Sequence, residues 1–113
     1  MKKPNCSFQD FLKLDIRVGE IKQVGRVENS SKLLLIVIDL GKDYGYVEIL
    51  SGIAKYIEPK TLLGKKVPVV ANLEPKPMAG KLSHGFILMG DLPGHIPRLI
   101  FIPEDIEPGT VLC

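Results

Sequence analysis

Asn72, Lys76, Lys81, Ser83 and His84 fall within one stretch, ANLEPKPMAGKLSHG, between the apolar runs KKVPVV and FILM. Amines, an amide and a hydroxyl at this spacing suit contact with phosphates and the edges of nucleic-acid bases. Pro75 and Pro77 restrict the backbone around them, which lowers the entropy lost when a ligand fixes the segment. A second polar cluster, Arg26, Asn29, Ser30, Ser31 and Lys32, lies in VGRVENSSK. Two strands can be joined by two to five residues. A connection of about a dozen, stiffened by prolines, points to a binding role.

Covalent chemistry finds little support. GKLSHG has the end glycines of a phosphate-cradling loop, but Phe86 and Ile87 stand where that loop needs Lys and Ser or Thr. Ser83 and His84 are chain neighbours without a third orienting group or a nucleophile elbow. His84 and His95 lack zinc-ligand spacing, and no catalytic carboxylate pair stands out among thirteen scattered acids. Cys6 and Cys113, at opposite ends and without a CxxC, read as two reduced thiols. The expectation is a binding protein that is not an enzyme, with no metal and no cofactor.

The elements that must carry these residues fit one domain over residues 1–113, with 45% hydrophobic and 25% charged residues. LLLIVI is far too short to span a membrane, and MKKPNCSFQD lacks the apolar middle of a signal peptide, so the expected compartment is the cytoplasm. Net charge is +2, unevenly spread: six lysines face two glutamates between Lys55 and Lys81, and one arginine faces four acids from Asp91 onward. A basic patch beside an acidic tail is compatible with a polyanionic partner held by shape.

SFQD offers Ser7 as an N-cap for one or two helical turns through Leu12. Leu14, Ile16 and Val18 alternate with Asp15 and Arg17, the mark of a half-buried strand. The apolar phase slips after Gly19 and again after Gln23, as bulges in a bent strand would make it do. Leu33 to Ile38 is apolar throughout, which predicts a strand covered on both faces. After the turn GKDYG comes YVEIL, and then Ile53, Tyr56 and Ile57 at i, i+3, i+4 predict a short amphipathic helix ended by Pro59. KKVPVVANL, FILM, RLIFI and a final TVL supply further strands, with Pro68 favouring an edge or a bulge. Three strands, a helix and two more strands is the order of an all-β OB-fold, a five-stranded Greek-key barrel with short helices and terminal extensions. In such barrels the two polar loops flank the ligand face. The seven aromatic residues are assigned mostly to the core, which leaves few for stacking bases and favours recognition of a folded RNA by shape.

The blocks FLKLDIRVGEI, SSKL, LSGIAKYIEP, GKKVPVVANLEPK and the spacing Gly80-x-x-Ser83 carry a resemblance that spans nearly the whole chain. The sequence resembles the tRNA-binding domain appended to methionyl-tRNA synthetases and to the endothelial monocyte-activating polypeptide, also found as free-standing dimeric proteins. It is similar, too, to CsaA-type proteins, described as export chaperones built on the same domain. The resemblance implies an OB-fold, a homodimer and tRNA binding. Carried over by position, Arg17, Lys32, Ser51, Asn72, Lys76 and Ser83 fall on family motif positions, and Lys81 joins Lys32 and Lys76 as a phosphate-neutralising candidate. VENS replaces the family's His-Pro and acidic-alanine pair before SSKL, Ala79 replaces a basic residue, and Gly85-Phe86 replaces Gly-Met. Two roles follow from the resemblance: a tRNA-binding module that assists a methionyl-tRNA synthetase, and a chaperone for extended, unfolded preproteins. LLLIVI, RLIFI and TVL together offer more apolar surface than one small barrel hides, a further motive for a homodimer.

Overall fold

The alternating segments pair into a curled antiparallel sheet in the computed structural model, which describes residues 1–113. A single helical turn, α1 (Phe8–Phe11), opens where Ser7 Oγ accepts the Asp10 amide at 3.1 Å. The strands β1 (Ile16–Arg26), β2 (Leu34–Asp39), β3 (Tyr46–Ser51), β4 (Lys66–Val70), β5 (Lys76–Met78), β6 (Lys81–Ser83) and β7 (Phe86–Ile87) follow. Five of them form the sheet in the order β3-β2-β1-β4-β7, and β5 pairs with β6 alone. A separate hairpin, β8 (Met89–Leu92) and β9 (Ile96–Leu99), comes last. This is the OB-like half-barrel expected from the order of elements.

The core is aliphatic. Ile21, Leu34, Ile36, Ile38, Val67 and Val69 are all but fully buried, and their cluster continues to Leu62 and Ile87. Each contributes about 1.5–3 kcal/mol by leaving water. Of the two phase slips in β1, one is a bulge: register shifts between Ile21 and Gln23, leaving Lys22 without a partner. Gly19 serves a different purpose, because a Cβ there would collide with Cγ2 of Ile38 and crowd Leu40 and Val69. Close approach across the curled sheet requires the missing side chain.

Several expectations change on the way to tertiary structure. Ile53–Ile57 forms one turn and no helix: the Tyr56 and Ile57 amides both donate to the Ile53 carbonyl, and a 3₁₀ turn follows at Pro59–Leu62. Pro59 holds Glu58 in an extended conformation, and the remaining stretch is too short to repay helix nucleation. β2 is fully buried on the Leu34, Ile36, Ile38 face, while Leu35 and Val37 are only half-buried. RLIFI leaves its ladder after Leu99. Pro68 lies within β4, with Val18 opposite, but its carbonyl accepts the Leu88 amide at 2.9 Å. Its nitrogen therefore faces the same outer side, where β7 pairs only Val69 and Val70.

The terminal segment seals β1 where β2 no longer reaches. Val18 donates to Thr110, Gly109 donates to Val18, and Leu112 donates to Ile16, at 2.8–2.9 Å. Of the aromatic rings only Tyr44 packs against the core cluster, and it is partly buried. None of the seven is buried, and Phe8, Tyr46, Tyr56, Phe86 and Phe101 are each more than half exposed.

Candidate nucleic-acid interface

The stretch from Ala71 to Gly85 is a β-hairpin set on a short lead-in. Lys76 pairs with Ser83, Pro77 with Leu82, and Met78 with Lys81. Ala79 and Gly80, the two loop residues, have φ of 50° and 79°, and positive φ at both positions defines a type I′ turn whose twist matches the strands. Residues directly opposite in a ladder share a face, so Lys76, Met78, Lys81 and Ser83 lie on one side and Pro77 and Leu82 on the other.

Ser83 fixes the hairpin to the barrel. It is 4% exposed, and its Oγ accepts the buried Leu50 amide at 2.9 Å. The next residue repeats the attachment through the backbone, the His84 amide donating to the Glu48 carbonyl at 2.8 Å. Together they cap the free edge of β3, and a side-chain oxygen there does the work of a strand carbonyl. Asn72 fixes the other root. Its Oδ1 accepts the Asp15 amide at 2.8 Å and its Nδ2 donates to the Lys13 carbonyl at 2.7 Å.

Arg17 is 14% exposed and engaged on several sides. Nε bonds Asp15 at 2.7 Å, and Nη1 bonds Asp43 at 3.0 Å and the Gly109 carbonyl at 3.1 Å. The guanidinium lies 5.4 Å from the Tyr44 ring centroid, and the Tyr44 hydroxyl donates to Asp15 at 2.6 Å. Arg17 and then Tyr44 hold the Asp15 carboxyl below its ordinary value, and hydrogen bonds to Asp15 and Asp43 raise the Arg17 pKa. The cluster ties β1 to the β2–β3 turn and to the terminal segment.

Lys32, Lys76 and Lys81 are exposed and have no carboxylate within ion-pair distance. The end of β3 connects the elements that carry them. Ser51 pairs with Leu34, two residues after Lys32, while Leu50 holds Ser83 on the hairpin. The Lys32 carbonyl also accepts the Ala54 amide at 3.0 Å. Ser51, half-buried, lines a cavity of about 370 Å³ with Tyr56, Phe86 and Ile87. The sheet thus brings the Lys32 loop, Ser51 and the hairpin lysines to one end, and sets Arg17 and Asn72 in the supporting framework. Sequence reasoning missed Tyr56 and Phe86 because it spent the aromatics on the core. The signal was present in the aliphatic content of the strands, which fills the core without them.

A curled sheet with a stiff, amine-bearing hairpin defines a binding module. Residues 16–111 match the family described as "Putative tRNA binding domain", and the chain belongs to that family. It is 43% identical over 96 residues to methionine–tRNA ligase of Listeria monocytogenes, covering 85% of this chain and 14% of that enzyme. The chain therefore spans only a small part of the length of such curated relatives. Among solved structures it is similar to a MetRS related protein from Pyrococcus horikoshii, with a TM-score of 0.92, 29% identity, and 98% and 100% of the two chains covered. It is also similar to the chaperone CsaA from Bacillus anthracis, with a TM-score of 0.86, 26% identity, and 97% and 100% covered.

Proposed function

We propose that this chain acts as a single tRNA-binding unit over residues 1–113, gripping folded tRNA by contour and phosphate contacts and catalysing no reaction. The observation that carries the reading is the set of three lysines without acidic partners, Lys32, Lys76 and Lys81, at the end of the barrel where the hairpin is anchored. In this reading the lysines neutralise phosphates. Ser51 faces the ligand from the end of β3, and Arg17, Asn72 and Ser83 position the frame through the hydrogen bonds described above. The likeness to domains within methionine–tRNA ligases supports a methionyl-tRNA synthetase as the enzyme it assists, in the cytoplasm. No helix is long and apolar enough to cross a membrane. Exposure of Phe8 and Leu12 on a turn that buries none of its residues supports a homodimer.

Each phosphate neutralised steepens the salt dependence by about 0.7–0.9 in the slope of log affinity against log salt. The experiment is a titration with total tRNA at two salt concentrations, for the native chain and for Lys32→Ala/Lys76→Ala/Lys81→Ala. The slope falls by about 2–3 in the triple variant; an unchanged affinity and slope discards the assignment.

A chaperone reading is favoured by the structural likeness to CsaA and by the partly apolar cavity beside Phe86. It calls for binding of unfolded polypeptide nearly indifferent to salt, measured by competition with tRNA.

A further inference from the structure

Two cavities, of about 370 and 210 Å³, meet at Tyr56 and Pro97 and form one groove between the turn after β3 and the β8–β9 hairpin. The groove begins at Ser51 and Phe86, beside the anchored hairpin, and ends at Phe101. Three rings line it: Tyr56, Phe86 and Phe101, 55%, 57% and 51% exposed. Rings left so open, in a chain that packs only Tyr44 of its aromatics against the core cluster, are platforms, with a face available to another flat group.

The groove's own lining carries one cation, Arg98, and one carboxylate, Asp91, and further cations stand beside it. Arg98 lines the second cavity, and Lys65 Nζ sits 5.6 Å from the Phe101 ring centroid. Lys55 and Lys60 are exposed on the segment that forms one wall. The acids nearby are Glu58 on that segment and Asp91 in the first cavity, whose carboxylate lies 3.2 Å from His95 Nδ1. Aromatic platforms with cations beside them are the combination that binds unpaired nucleic acid, each base stacking on a ring while amines follow the backbone. An extended apolar polypeptide would gain from the apolar walls but not from the cations.

We propose that this groove takes an unpaired segment of RNA, its bases stacked on Tyr56 and Phe86 and its phosphates met by Arg98, Lys65 and the lysines of the 53–62 segment. The proposal deepens the tRNA reading and rests on it. The folded body of the RNA lies against Lys32, Lys76 and Lys81, and a strand leaving that body enters the groove past Ser51.

The chain contains no tryptophan, so Tyr56→Trp places a single indole in the groove. Its fluorescence is followed against total tRNA, a short single-stranded oligouridylate, a blunt RNA duplex, and an extended apolar peptide. Quenching by tRNA and oligouridylate, but not by the duplex, is the expected result. In parallel, Tyr56→Ala and Phe86→Ala weaken oligouridylate binding by about fivefold or more, the loss expected for one base–aromatic stack, and Tyr56→Phe restores it. Far-UV circular dichroism checks that these exposed-site variants are folded. Normal, salt-dependent tRNA binding with no quenching by oligouridylate overturns the groove and leaves the tRNA reading standing. Quenching by the peptide alone overturns it in favour of a polypeptide site. Absence of binding by both RNAs overturns the tRNA reading and the groove with it.

Discussion

Ser83→Ala removes a hydroxyl whose Oγ is the acceptor for the buried Leu50 amide at 2.9 Å, a bond joining residues 33 positions apart. Alanine fills nearly the same space but leaves that donor facing a closed wall. A buried backbone donor without a partner costs about 1–3 kcal/mol. For a domain of this size each kcal/mol lowers the melting temperature by roughly 3–6 °C. Urea unfolding should show a lower midpoint with an unchanged slope, since the surface exposed on unfolding is the same. Amide exchange at Leu50 should accelerate as the edge of β3 opens. Lys76 and Lys81 keep their amines, so tRNA affinity, measured well below the melting transition, falls less than in the triple-lysine variant. An unchanged midpoint together with unchanged Leu50 exchange would refute the view that this hydroxyl holds the hairpin to the barrel.

Arg17 and Tyr44 hold the Asp15 carboxyl below its ordinary value of 3.8, so their stabilisation is fully present above that value and is lost as pH falls through the lower folded pKa. Asp15→Asn should therefore lose stability at neutral pH and show a weaker decline below about pH 4, measured by urea titrations across that range. Ala79→Asn places Asn-Gly in the type I′ turn, where asparagine tolerates φ of 50° better than alanine. Stability should rise by about 0.5–1 kcal/mol, with tRNA affinity unchanged, as thermal melts and titration will read. Gly19→Ala forces a Cβ against Ile38, Leu40 and Val69 and should cost about 1–3 kcal/mol by overpacking, checked by the urea midpoint.

Local pattern alone determined much of this protein. Alternation around Ile16 and Val18 and the order of strands pointed to an OB-type barrel, because period and turn chemistry act within a few residues, and the resemblance of the motif blocks to the tRNA-binding domain made that reading firm. The cationic residues Lys32, Lys76 and Lys81 were legible by type. Only the tertiary structure decided what the polar neighbours do. In sequence Asn72 reads equally as a base-edge reader and as a pin for the loop backbone, and Ser83 as a ligand, yet their hydrogen bonds reach 57 and 33 residues along the chain, a distance that no local pattern encodes. The same limit hid the hairpin within the long connection, because its ladder depends on β3 to anchor it. It hid the groove as well: Tyr56, Phe86 and Phe101 share a surface only because aliphatic side chains from five strands fill the core without them.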